Sequence, residues 1–368
     1  MNVKPVAVIL TVDAGGTNFV FSAINNGEIL GNTVSLTAKI DSESECSNCL
    51  IDGFEKLQSQ INEVAVAISF AFPGPADYEN GIIGNLPNFP GINGNYPLKS
   101  ILESHFNLPV FINNDGNLFA YGEALAGVLP DINARLKQAG GNKQFNNLIG
   151  ITLGTGIGAG LISNGIMLRG DNSSAAEIHN LNNPNRQDWN VEENISTRAI
   201  QQIYGNQYKH ASEVVLTPKD IYEIAKGLRN GDKEAALASF QIYGRTLGCA
   251  IATMVTLFDG LVVLGGGITA AWDLLAPSIF EVINRPFDNP GLIQVPKTTV
   301  RIFDYQKKEE AEKFIKGDLV KLKNDSNGGQ LIHDQMVRTA VVLSENGASH
   351  STSLGAYYFA LDQLNISK

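Results

Sequence analysis

Residues 149–170 read I-G-I-T-L-G-T-G-I-G-A-G-L-I-S-N-G-I-M-L-R-G. Gly154, Gly156, Gly158 and Gly160 alternate with Thr155, Ile157 and Ala159, an apolar run follows, and Asn164-Gly165 marks a hairpin turn. No window fits G-x-G-x-x-G, and a hairpin signal rather than a helix start follows, so this is not a dinucleotide fingerprint. It reads as strand, glycine turn, strand, Asn-Gly turn, strand. Residues 11–31, T-V-D-A-G-G-T-N-F-V-F-S-A-I-N-N-G-E-I-L-G, repeat the device: a strand enters Gly15-Gly16-Thr17, a second leaves it, Asn26-Gly27 reverses the chain, and a third ends at Gly31. Glycines in such turns let backbone N–H groups approach an anion unobstructed, and Thr17 and Thr155 add hydroxyls. Taken singly, each hairpin reads equally well as an ordinary tight turn. Their repetition, with Asp13 ahead of the first, favours two cradles that grip a polyphosphate.

The chain has 368 residues, enough for two domains with separate cores. Its formal charge of −10 opposes a nucleic-acid surface, which requires clustered Lys and Arg. The nearly uncharged run 247–272 is broken by Asp259 and by Gly265-Gly266-Gly267, so it reads as a buried helix and strand rather than a membrane span. The N-terminal apolar run leads straight into Asp13 without a small-residue cleavage site, which points to a first strand and a cytoplasmic protein. Three cysteines, Cys46, Cys49 and Cys249, make no disulfide framework. Cys46 and Cys49 have C-x-x-C spacing but no second ligand pair beside them, which argues against redox or metal use.

Along the chain, a helix is expected over 43–61 and a central strand, apolar on both faces, over 64–72. The loop 81–97, rich in Gly, Asn and Pro and containing Asn88, follows that strand's carboxyl end, where α/β proteins place ligand contacts. A helix over 98–106 leads to a strand ending in Asn113-Asn114-Asp115 and then a helix over 116–126. Asp115 at that strand end reads either as a helix cap or as a carboxylate able to take a proton from a hydroxyl. Residues 130–147 read as a polar passage between domains. Glu177-Ile178-His179 and Glu192 flank a loop rich in Asn and Asp. Helices are expected over 192–204, 218–229 and 233–258. A strand over 261–264 opens into Gly265-Gly266-Gly267, either a tight strand-to-helix turn or a place where backbone meets a flat purine and its ribose. The charged stretch 304–332 reads as a solvated surface insertion. A strand over 337–343 and a closing helix over 353–364 complete the chain.

With these stretches in place, the chain resembles the ROK sugar kinases (repressor, open reading frame, kinase), a branch of the actin, Hsp70 and hexokinase fold, over nearly all its length except the charged insertion. Asp13-Ala14-Gly15-Gly16-Thr17 is similar to the first phosphate motif, Asn114-Asp115 to the catalytic pair, Gly154-Thr155-Gly156-Ile157-Gly158 to the second phosphate motif, and Leu264-Gly265-Gly266-Gly267 to the adenosine turn. The resemblance implies an α/β protein of two ribonuclease H-like domains with a cleft between them. The first would span 1–128 and be completed by the terminal helix 353–368; the second would span 129–352 and carry the insertion 304–332.

It further implies an ATP- and Mg²⁺-dependent kinase acting on glucose, fructose or an N-acetylhexosamine, commonly dimeric or tetrameric. Asp115 would be the general base, with Asn88, Asn114, Glu177, His179 and Glu192 on the sugar and Asp13 on the metal, directly or through water. Two departures stand out. Where the family shows Gly-Glu-x-Gly-His, this chain has Ala176-Glu177-Ile178-His179, one residue shorter and without either glycine, which leaves the place of His179 open. Where many members bind structural zinc, residues 180–191 contain no cysteine, so no zinc site with thiolate ligands is expected. Two other readings compete: a sugar-responsive regulator, argued against by the acidic surface and by only twelve residues ahead of Asp13, and a nucleotide-gated scaffold of the Hsp70 or actin kind.

Overall fold

The structure, a computed structural model, describes residues 7–14, 18–37, 41–74, 76–85, 91–207, 216–291, 294–323 and 330–366. Gly15, Gly16, Thr17 and Asn88 lie outside the described residues.

The chain opens with strands β1 (Val8–Ala14), β2 (Asn18–Asn25) and β3 (Glu28–Thr37), then helix α1 (Glu43–Gln58) and strand β4 (Ala65–Ala71). Short strands β5 (Ala76–Asp77), β6 (Ile82–Asn85) and β7 (Asn93–Tyr96) precede α2 (Leu98–Phe106), β8 (Val110–Asn113) and α3 (Asp115–Leu125). Next come α4 (Val128–Gln138), the strands β9 (Asn147–Leu153), β10 (Ile157–Ser163) and β11 (Ile166–Met167), and the helices α5 (Thr197–Gln207), α6 (Pro218–Ala225) and α7 (Lys233–Phe258). The last part holds β12 (Leu261–Gly265), α8 (Trp272–Asn284), β13 (Arg301–Asp304), α9 (Lys308–Lys316), β14 (Leu319–Lys323), β15 (Gln330–Asp334), β16 (Arg338–Leu343) and α10 (Ala348–Gln363).

Two compact units result: Met1–Gly127 with Gly160–Ala175 and Asn346–Lys368, and Val128–Ala159 with Ala176–Glu345. The sequence-based division places 160–175 with the second domain, whereas contacts gather it with the first.

The first unit is built on the sheet β3-β2-β1-β4-β8. Strands β1, β2 and β3 are antiparallel neighbours, and β1, β4 and β8 run parallel. Alternation along the strands sends two sets of side chains to opposite faces. Leu10, Val12, Ile68, Phe70 and Phe72 meet Leu50, Phe54 and Leu57 of α1 in one buried cluster. Ile9, Ile24 and Ala67 meet Leu354, Tyr357, Ala360 and Leu361 of α10 in another. Helix α10 also crosses α3 closely enough that a Cβ on Gly355 would stand 1.8 Å from the Leu118 carbonyl oxygen, so glycine is required there.

The other large sheet runs β11-β10-β9-β12-β16-β13, and its strands β9, β12, β16 and β13 belong to the second unit. Without the edge strand β13 it repeats the order of the first sheet, counterpart for counterpart. The duplicated hairpin read from 11–31 and 149–170 is thus the start of a duplicated sheet. Strands β9, β12 and β16 are parallel, with Gly265 opposite Thr152 and Leu264 opposite Leu343, so their carboxyl ends lie side by side.

The stretch 81–97, expected as a loop, holds the short strands β6 and β7, and two further expectations change. The stretch 130–147 is not simply a polar connector: α4 covers its first part and buries Leu129, Ile132 and Leu136 along one face. Asn133 then ties the following segment by exchanging hydrogen bonds with both backbone groups of Phe145. The charged stretch 304–332 is solvated on one side but anchored on the other. Phe314 is fully buried, stacked on Phe145 at 5.7 Å, and its carbonyl accepts a hydrogen bond from the buried Arg338 side chain. Arg338 pairs in turn with Asp334.

Candidate active site

In the first unit, β1 and β8 carry Asp13 and the Asn113-Asn114-Asp115 run at their carboxyl ends, with β4 between them. Strand spacing sets these ends about 10 Å apart. Asn114, in extended backbone, caps α3: its side-chain oxygen accepts from the N–H of Gly116 at 2.8 Å and of Asn117 at 3.3 Å. The cap role that sequence leaves open for Asp115 is therefore filled by its neighbour, and Asn114 has its oxygen turned to the helix.

Asp115 accepts one hydrogen bond from the Gly116 N–H at 2.8 Å. Its surface is open to solvent, while protein packed around it desolvates the carboxyl. That desolvation pushes its carboxyl above the usual range, the charge of Asp13 adds to the rise, and the Gly116 N–H pulls the other way. Asp13 itself is half-buried. Behind this edge Asn113 is buried, accepting from the Asn114 N–H and donating to the Met167 sulfur at 3.3 Å.

In the second unit, the turn between β9 and β10 presents Thr155 at an exposed tip, with Gly154 and Gly156 on either side. The next parallel strand, β12, ends in Gly265-Gly266-Gly267. Gly266 has φ +97°, and a Cβ there would stand 2.2 Å from the Leu153 carbonyl oxygen, so only glycine lets this turn lie against the β9 end. The two glycine turns expected to hold phosphate and adenosine thus belong to adjacent strand ends.

The three further residues expected on the sugar sit in this unit as well. Glu177 and His179 form a pair, Oε2 to Nδ1 at 2.9 Å. Ala176 before them has φ +64°, a left-handed conformation that favours glycine, and here the chain lacks the family's first glycine. Glu192 accepts from the Ile157 N–H at 3.2 Å, in the second glycine turn.

The segment around Glu192 is held by asparagines, a network that sequence reasoning missed. Buried Asn183 donates to the Asn190 carbonyl at 2.9 Å and to the Asn194 side chain at 2.8 Å, and Asn185 donates to Asn194 and to Thr246. Asn190 accepts from the Glu193 N–H. The density of asparagine over 180–194 was the available signal. Cys46 and Cys49 lie within α1. Burial, with Cys49 adding, pushes the Cys46 thiol up to about 12, and burial also raises Cys49, so thiolate chemistry is suppressed at both. Among the described residues no helix is long and apolar enough to cross a membrane.

The chain matches the ROK family over residues 9–297. A crystal structure of a glucokinase from Parabacteroides distasonis is 43% identical, covers 98% of this chain and 99% of its own, and superposes with a TM-score of 0.86. A glucokinase of Thermotoga maritima is 29% identical over 76% of this chain and 88% of its own length. A xylose repressor of Caldicellulosiruptor bescii is 25% identical over 77% of this chain and 71% of its own. With its duplicated sheet, its paired glycine turns and this agreement across most of its length, the chain belongs to the ROK family and has the two-domain actin and hexokinase type of fold.

Proposed function

We propose that this protein is an ATP-dependent sugar kinase that phosphorylates a hydroxyl of a hexose or N-acetylhexosamine. The observation that carries the reading is Asp115: a solvent-reachable carboxylate at a parallel strand end, relieved of capping by Asn114 and held above the usual carboxylate range. Asp115 takes the proton from a sugar hydroxymethyl group as its oxygen attacks the γ-phosphate in line. Asn88, Asn114, Glu177, His179 and Glu192 hold the neighbouring hydroxyls. The glycine turns at 15–17 and 154–156 receive the phosphates and the 265–267 turn the adenosine, because phosphoryl transfer depends on positioning and charge stabilisation.

A half-buried carboxylate whose charge is felt at Asp115 is a hard oxygen donor of the kind Mg²⁺ prefers, so Asp13 would hold that ion, directly or through water. Bound there, Mg²⁺ would neutralise the terminal phosphates. The protein is expected to act in the cytoplasm as a homodimer or homotetramer.

The test is ADP release across a panel of hexoses and N-acetylhexosamines. Sugar-dependent ADP formation is the expected result; its absence with every sugar would sink the reading. The second reading, a sugar-binding regulator, is favoured by the xylose repressor match and predicts sugar binding without ADP.

A further inference from the structure

The contact between Glu192 and the second glycine turn goes beyond holding a loop in place. The segment carrying Glu192 is bonded to that turn twice: the Ile157 N–H donates to the Glu192 carboxylate at 3.2 Å, and the Thr197 N–H donates to the Gly154 carbonyl at 3.1 Å. The carboxylate lies so close over the turn that a Cβ on Gly156 would stand 2.3 Å from its Oε2. The nearby cation is engaged elsewhere, since Arg198 forks onto Glu193 with 2.7 and 3.1 Å bonds. Arg198 also acts on Glu192 through its charge, but its direct ion pair is with Glu193. A negative charge therefore occupies a backbone donor of the turn proposed to receive phosphate.

We infer that Glu192 makes the two substrates bind cooperatively, an inference that rests on the sugar-kinase reading of both the turn and Glu192. Without sugar, the carboxylate sits on the turn and opposes an incoming polyphosphate, because like charges brought into contact repel. Sugar hydroxyls that donate to Glu192 compete with the Ile157 N–H for its oxygens and disperse its charge. The donor then becomes available to a phosphate oxygen. The arrangement holds nucleotide affinity low until an acceptor is present, which limits transfer to water. Linkage requires the converse: nucleotide raises sugar affinity by the same factor.

The test is calorimetric binding of AMPPNP to the full chain, with and without saturating glucose. In the wild type, glucose should lower the AMPPNP Kd about tenfold, within the usual span of coupled sites. Glu192→Gln keeps the shape and removes the charge. It should bind AMPPNP about tenfold more tightly than the wild type in the absence of sugar, with the glucose effect reduced to less than twofold. If the variant binds AMPPNP no better than the wild type, or retains the full glucose effect, the inference is overturned.

Glu192→Asp guards against a folding artefact, because it keeps the charge but draws it back from Ile157. It should show an intermediate sugar-free Kd, and one equal to the wild type would count against the mechanism. A purely structural role would shift both Kd values together. The sugar-free comparison stands apart from the kinase reading, which falls only if the wild type releases no ADP with any sugar.

Discussion

Replacing Asp115 by Asn tests the chemistry while leaving the scaffold intact. Asn114 still caps α3, and the new side-chain oxygen still faces the Gly116 N–H, so the helix start keeps its hydrogen bonds. What disappears is the base. A positioned general base contributes about 10² to 10⁴ in rate, equivalent to about 3–5 kcal/mol of barrier. Sugar-dependent ADP release should fall by that factor, while the sugar Kd stays within about threefold. The raised carboxyl also sets a pH signature. Activity needs the ionised form, so the acid limb of wild-type kcat/KM should lie above the ordinary Asp value of about 3.9 and vanish in the variant's residual rate.

The stability effect has the opposite sign from the usual aspartate. A carboxyl whose native pKa lies above its unfolded value binds protons more tightly when folded, so ionising it costs stability as pH rises from the unfolded pKa through the native one. Asp115→Asn removes that cost, and its melting temperature at neutral pH should equal or exceed that of the wild type. Unchanged turnover, or an acid limb in the ordinary carboxylate range, would refute the assignment of the base.

Other perturbations probe the frame that holds the site. Ala176→Gly relieves a left-handed alanine and should stabilise the protein by about 1 kcal/mol in urea unfolding; a loss of stability would show that the methyl group contributes packing. Gly355→Ala drives a methyl into the Leu118 carbonyl of α3, which is backbone and cannot swing aside. It should cost about 1–3 kcal/mol despite alanine's better helix propensity, and a raised melting temperature would contradict the close crossing. Asp334→Asn leaves the buried Arg338 guanidinium without its counter-charge and should cost about 3 kcal/mol by urea midpoint. Burial alone would raise Asp334, but the Asp318 N–H, Arg338 and the Met336 N–H together hold it below the usual range. Its contribution is thus present above about pH 4 and lost as pH falls through the native pKa, so the variant should narrow the acid sensitivity of unfolding.

What could be read from sequence was local in origin. Asn26-Gly27 and Asn164-Gly165 demand reversal by their own backbone preferences, so both hairpins were visible in residue spacing, whereas the duplicated sheet order emerges only from strand pairing. Asp115 was visible as a residue but not as a role: either member of an Asn-Asp pair can cap a helix, and only the extended backbone at Asn114 decides which does. Helix α4 escaped because Asp131, Asn133, Arg135, Lys137 and Gln138 interrupt its apolar residues, while the deciding signal is the spacing of Leu129, Ile132 and Leu136. The anchoring of the charged insertion escaped for another reason, since Phe314 and Arg338 are far apart in sequence and no periodicity joins them. The same holds for Glu192 and Ile157. A motif search assigns one to the sugar and the other to the phosphates, and the single hydrogen bond between them exists only once the chain has folded. Sequence motifs locate the parts of such a site, but communication between two ligands depends on contacts between motifs, and these carry no mark in either one.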